Sequence, residues 1–60
     1  MMEFKIGDII ETFDGLKGEI TSLLTNTAVV DFSLTNNFEE HFEDAKQVVR
    51  LNNIRQVVNG

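Results

Sequence analysis

The chain contains no cysteine. That excludes a disulfide framework and every thiolate metal site, so a domain of 60 residues must be held by packing alone. No apolar run approaches the ~20 residues of a membrane-spanning helix. The opening Met-Met-Glu-Phe-Lys has neither the basic region nor the apolar core of a signal peptide, which sets the expected location as the cytoplasm. Positive charge is scarce: Lys5, Lys17, Lys46, Arg50 and Arg55 stand against ten acidic side chains, for a net charge of -5. This balance repels phosphate backbones at long range, so any basic patch has to be assembled by the fold from residues distant in sequence.

Hydrophobic residues make up 42% of the chain, ordinary for a folded domain and too many for a disordered one. A chain this short buries roughly 60% of the surface that its unfolded form exposes. Its stability is on the order of 3–9 kcal/mol, so one badly placed core residue is enough to unfold it.

Residues 7–20 carry two strand patterns, the turn between them and three of the four glycines. Ahead of them, Phe4 and Ile6 stand two apart, a period that places both on one side of an extended lead-in closing one edge of the core. A first strand is predicted at 9–13, with Ile9, Glu11 and Phe13 on one face and Ile10 and Thr12 on the other; the pattern does not say which is buried. Asp14-Gly15 is a two-residue type I′ hairpin signal, Leu16 and Lys17 offer an extension of the connection up to Gly18, and a second strand follows from Gly18 to Leu24. Residues 28–34 alternate cleanly, with Ala28, Val30, Phe32 and Leu34 as the core-facing set.

Residues 38–45 support two readings. Phe38, Phe42, Ala45 and Val49 fall at helical spacing, with Asn37 as a cap and Glu39 and Glu40 complementing the positive helix end. The β-rich surroundings and the pair Val48-Val49 argue equally for an irregular acidic loop. A fourth strand is predicted at 47–51, a tight or 3₁₀ turn at Asn52-Asn53, and a fifth strand at 54–58. Short strands separated by turn signals, with no room for crossover helices, specify a small antiparallel all-β barrel in one domain.

Signatures of chemistry are missing. The glycines lack the Gly-Lys-Ser/Thr ending and following helix of a phosphate loop, so they serve turns and bulges. His41 is the single histidine, and a lone imidazole among carboxylates does not supply the convergent ligands of a metal site. Ser22 and Ser33 have no recognisable base partner, and a domain of this size offers no deep cleft for general acid–base work. The expectation is a non-enzymatic domain with no metal or cofactor.

Two segments carry a resemblance. Gly7-Asp8-Ile9-Ile10-Glu11 followed by Asp14-Gly15-Leu16-Lys17-Gly18-Glu19-Ile20 resembles the KOW motif of SH3-like barrels. With the closing Val48-Val49-Arg50-Leu51-Asn52-Asn53-Ile54-Arg55-Gln56-Val57, most of 5–58 is similar to a family of small KOW-like or SH3-like bacterial proteins, found mainly in Gram-positive bacteria and their phages. The resemblance implies a five-stranded SH3-like barrel with a short 3₁₀ turn before the last strand. It implies no catalytic activity. KOW domains of ribosomal proteins and transcription elongation factors contact RNA or partner proteins through strand and loop residues. Gly18 matches the central glycine of the motif, and Lys17 sits beside it where basic residues are common. The negative charge and shortened spacing depart from that pattern.

Two surfaces are therefore expected to act. The first is a protein-binding segment of Phe38, Glu39, Glu40, Phe42 and Glu43, an apolar spot rimmed by carboxylates. The alternative is an RNA-binding surface of Lys17, Arg50 and Arg55; the SH3-like resemblance implies that the fourth and fifth strands adjoin, so that the two arginines share a face. Open edge strands add a third route, self-association.

Overall fold

The hairpin expected at the start of the chain forms. In the computed structural model, which describes residues 3–35 and 37–58, strand β1 (Ile9–Thr12) pairs antiparallel with β2 (Lys17–Leu23), bringing Ile10 opposite Gly18. β2 then pairs with β3 (Thr27–Asp31), and β3 with β4 (Lys46–Arg50). β5 (Ile54–Val57) returns to the other side of β1. All neighbours are antiparallel, and the five strands form one sheet in the order β4-β3-β2-β1-β5. The remaining regular structure among the described residues is three 3₁₀ turns: Phe32–Leu34, Phe38–Glu40 and Leu51–Asn53. None of the described helices is long and apolar enough to cross a membrane.

β2 bends the sheet. Its first residues pair with β1 and its later ones with β3, and the β3 register slips between Ile20 and Ser22. A bulge of this kind kinks a strand and increases its twist, which lets one sheet curl around one core. That core is Ile10, Ile20, Ala28, Val30, Phe32, Val49 and Ile54, with Phe4, Leu16, Leu23 and Phe42 packed against it. Burial also resolves the two faces of β1: Ile10 and Thr12 point inward. Buried Thr12 is satisfied because its Oγ1 accepts the Leu16 N–H at 3.3 Å.

Gly18 is required by packing. An added Cβ would lie 2.6 Å from Val30 Cγ1, 2.7 Å from the Asp31 carbonyl oxygen and 2.9 Å from Phe32 Cδ1. The β1–β2 connection differs from the expected type I′ turn, which needs positive φ at both central residues. Only Gly15 is left-handed, at φ 85°, while Gly15 N–H donates to Thr12 O and Thr12 N–H to Leu16 O. The loop is thus the three-residue kind closed by a left-handed glycine.

Other sequence expectations also shift. The third strand stops at Asp31, because the Asp31 carboxylate accepts the Ser33 N–H at 2.9 Å and turns the chain into the 3₁₀ segment Phe32–Leu34. Phe32 stays in the core, whereas Leu34, expected to face inward, is 59% exposed. Ile6 is likewise exposed, because Lys5 and Asp8 exchange hydrogen bonds across a turn with Gly7 at φ 97°. The region 38–45 forms no α-helix. It is the loop reading that holds, with one 3₁₀ turn at Phe38–Glu40.

Candidate functional site

The ends of the strand order define the most useful place on this molecule. β4 and β5 do not pair with each other; each has one neighbour in the sheet, and the 3₁₀ turn Leu51–Asn53 links them. The expectation that they adjoin is therefore corrected: β5 is captured by β1, where Ile10 pairs with Val57 and Glu11 with Gln56.

Beside β4 opens a groove of about 400 Å³. One wall is four consecutive residues of that strand, Gln47, Val48, Val49 and Arg50. The floor includes Phe32 and Phe42, and the far wall is the β1–β2 connection with Asp14 and Leu16, closed at one end by Asn52 and Asn53. A second depression, of about 490 Å³, lies against Asn26, Thr27 and Leu51 and shares Arg50 and Asn52 with the first.

The floor is an aromatic pair. Phe42 stacks on Phe32 with ring centroids 5.1 Å apart and planes at 25°. Phe42 is thus half-buried and packed on the core, so the segment 38–43 does not present it as a freestanding apolar spot. Glu39, Glu40 and Glu43 are exposed, and the Phe38 side chain lies outside the described residues. His41 is exposed beside Phe42. Among the described residues, no three His, Asp or Glu side chains converge.

Hydrogen bonds flanking β4 fix the phase of its edge. Phe32 N–H donates to Ala45 O at 2.8 Å, and Leu51 N–H donates to Asn26 O at 2.9 Å. Antiparallel neighbours alternate between pairs that exchange hydrogen bonds and pairs that do not. With Val30 opposite Gln47 and Ala28 opposite Val49, the residues whose backbone groups face β3 are 45, 47, 49 and 51. The N–H and C=O groups of Lys46, Val48 and Arg50 consequently point away from β3, along an edge that no strand of the described residues covers. Their side chains are exposed on the outer face, while Gln47 and Val49 point inward.

The three predicted phosphate contacts lie on three different strands, Lys17 on β2, Arg50 on β4 and Arg55 on β5. Arg55 approaches Glu11 Oε1 at 3.8 Å, and Gln56 Nε2 donates to the same oxygen at 2.6 Å. Lys17 stands opposite Glu11 in the β1–β2 register. Its backbone is clasped by Thr35, whose Oγ1 accepts the Lys17 N–H at 3.0 Å and donates to the Lys17 carbonyl at 2.6 Å. Arg55 is thus paired with Glu11, while Lys17 is opposite that residue in register only. Arg50 belongs to the opposite end of the strand order and has no ion-pair partner among the described residues.

Sequence reasoning missed Gln47, Val48, Asn52, Asn53 and Leu16 as groove residues. No local signal marks them, because the groove is assembled from segments distant in the chain, from Thr12 to Asn53. The Asp31 carboxyl is held below its ordinary value of 3.8, first by the Ser33 backbone N–H and then by the Ser33 side chain; burial opposes the shift and the nearby Lys46 adds to it. Comparison of the chain with family models, characterised proteins and solved structures found no match.

Proposed function

We propose that this chain is a non-enzymatic, cytoplasmic SH3-like barrel of KOW-like type that binds protein as an adaptor or regulatory module. The strand order β5-β1-β2-β3-β4, with a 3₁₀ turn just before β5, supports the SH3-like reading. The close approach around Gly18, the residue that matches the motif's glycine, supports the KOW-like one. The observation that carries the binding function is the groove at β4. It combines an apolar aromatic floor with a row of backbone donors and acceptors, the two elements by which a protein segment is held at a sheet edge. The acidic residues Glu39, Glu40 and Glu43 are exposed in the loop that supplies Phe42 to the groove and stand outside its lining.

RNA binding through Lys17, Arg50 and Arg55 has less support. Glu11 pairs with Arg55, and the net charge of -5 opposes a phosphate backbone.

The test is selection from a random peptide display library on the ¹⁵N-labelled domain, with a parallel titration of mixed-sequence single-stranded RNA. Selected peptides are expected to shift the amide resonances of Leu16, Val48, Arg50, Asn52 and Asn53. Saturable RNA binding in the absence of any selected peptide overturns the reading.

A further inference from the structure

The edge of β4 specifies the chemistry of its ligand. We propose that the groove takes an extended peptide segment of another protein, added as a sixth strand along β4, with the pattern acidic–apolar–β-branched–apolar–acidic. This rests on the protein-binding reading above and names the partner's chemistry.

Three observations lead there. First, Lys46, Val48 and Arg50 direct their backbone N–H and C=O groups outward at a spacing of two residues, the arrangement that an added strand completes. Second, their side chains form one outer-face row, cation–valine–cation. Across an antiparallel pair, side chains directly opposite one another interact, so that row calls for an acid, a β-branched residue and an acid. Third, the inward positions of the added strand, lying between those three, project toward the groove floor of Phe32 and Phe42. Asp14 on the far wall disfavours a carboxylate there, which makes those positions apolar.

The two cations are not equivalent. Lys46 stands opposite Asp31 on β3 and is partly answered by it, whereas Arg50 stands opposite the neutral Thr27. The acid opposite Arg50 therefore contributes more than the acid opposite Lys46. The same row argues against a second copy of this chain as the occupant. Two β4 edges paired antiparallel about Val48 would set Lys46 against Arg50 twice, and like charges directly opposite destabilise a pair. The net charge of -5 slows the approach of an acidic segment at low salt but is screened beyond about 8 Å at physiological ionic strength.

The probe is a fluorescein-labelled synthetic peptide with Glu-Leu-Val-Leu-Glu at its centre, followed by anisotropy with the full chain. It is compared with the same composition shifted by one residue, with a version carrying lysines for both glutamates, and with versions N-methylated at single positions. The original is expected to bind best. N-methylation at the valine should weaken binding about tenfold through the lost backbone bond, and N-methylation at either leucine, whose N–H points away from β4, should change it little. Arg50→Glu should weaken the glutamate peptide by about three- to tenfold and restore binding to the lysine peptide. Circular dichroism of the exposed-site variant checks that it is folded. Equal affinity for the shifted peptide, or indifference to N-methylation at the valine, overturns the sixth-strand proposal. If library-selected peptides still shift the groove resonances, the protein-binding reading stands without it; if neither peptide class binds, both fall. Concentration-dependent dimerisation of the chain that is strengthened by Arg50→Glu, which would turn both Lys46–Arg50 pairs into opposite charges, makes the second copy the occupant and likewise overturns it.

Discussion

Phe42 and Phe32 lie ten residues apart in the chain and face to face in the fold, their ring centroids separated by 5.1 Å. The contact draws the acidic loop back onto the core and makes the floor of the β4 groove from it. Phe42→Ala should cost about 1–2 kcal/mol, less than a fully buried phenylalanine because Phe42 is only half-buried. Urea denaturation measures this. An unchanged midpoint would mean that the stack does not hold the loop.

Gly18 is expected to resist substitution more than Gly7 or Gly15. An added methyl meets Val30, the Asp31 carbonyl and Phe32, so Gly18→Ala should destabilise by about 1–3 kcal/mol. Removing bulk at Val30 in the same chain should not recover the loss, because the Asp31 carbonyl remains 2.7 Å from the new atom. Full recovery in the double variant would place the conflict in the side chain alone.

Asp31 gives the domain an acid-sensitive contact. Its folded carboxyl titrates below the ordinary 3.8, so the ionised form favours folding. That stability is present above the unfolded value and is lost as the pH falls from about 3.8 through the lower folded value. Asp31→Asn should be less stable than the parent at neutral pH, and the gap should close on acidification. Urea midpoints at about pH 7, 4 and 2.5 check it. A gap that stays constant or widens toward acid contradicts the assignment.

Titration with single-stranded RNA at low salt should give no saturable binding. If Lys17, Arg50 and Arg55 did contact phosphates, log affinity would fall against log salt with a slope of about two, from ~0.7 per contact on a single strand. That slope, if observed, would favour the RNA reading.

Much of the fold is legible in local pattern. Ala28 and Val30 alternate inward as written, Asp14-Gly15 sits at a hairpin, and Asn53 closes a 3₁₀ turn before β5. The misreadings have local causes that compete with periodicity. The alternation that runs on to Leu34 is cut by an aspartate that caps the amide two residues ahead. The helical spacing of Phe38 and Phe42 is overridden by the pull of Phe42 onto Phe32. The site was less legible than the fold. That β5 would pair with β1, leaving β4 uncovered, depends on contacts between residues more than forty positions apart, such as Ile10 with Val57. Arg50 and Phe42 could be singled out by composition, but their meeting at one groove could not.

The alternating edge of β4 is read directly by amide hydrogen exchange in NMR. In the unliganded domain, Gln47 and Val49 should be protected while Lys46, Val48 and Arg50 exchange rapidly; on adding the glutamate peptide, those three should slow and the pattern on β5 should not change. Equal protection along all of β4 before binding, or slowing confined to β5 or to the 38–45 loop, would contradict it.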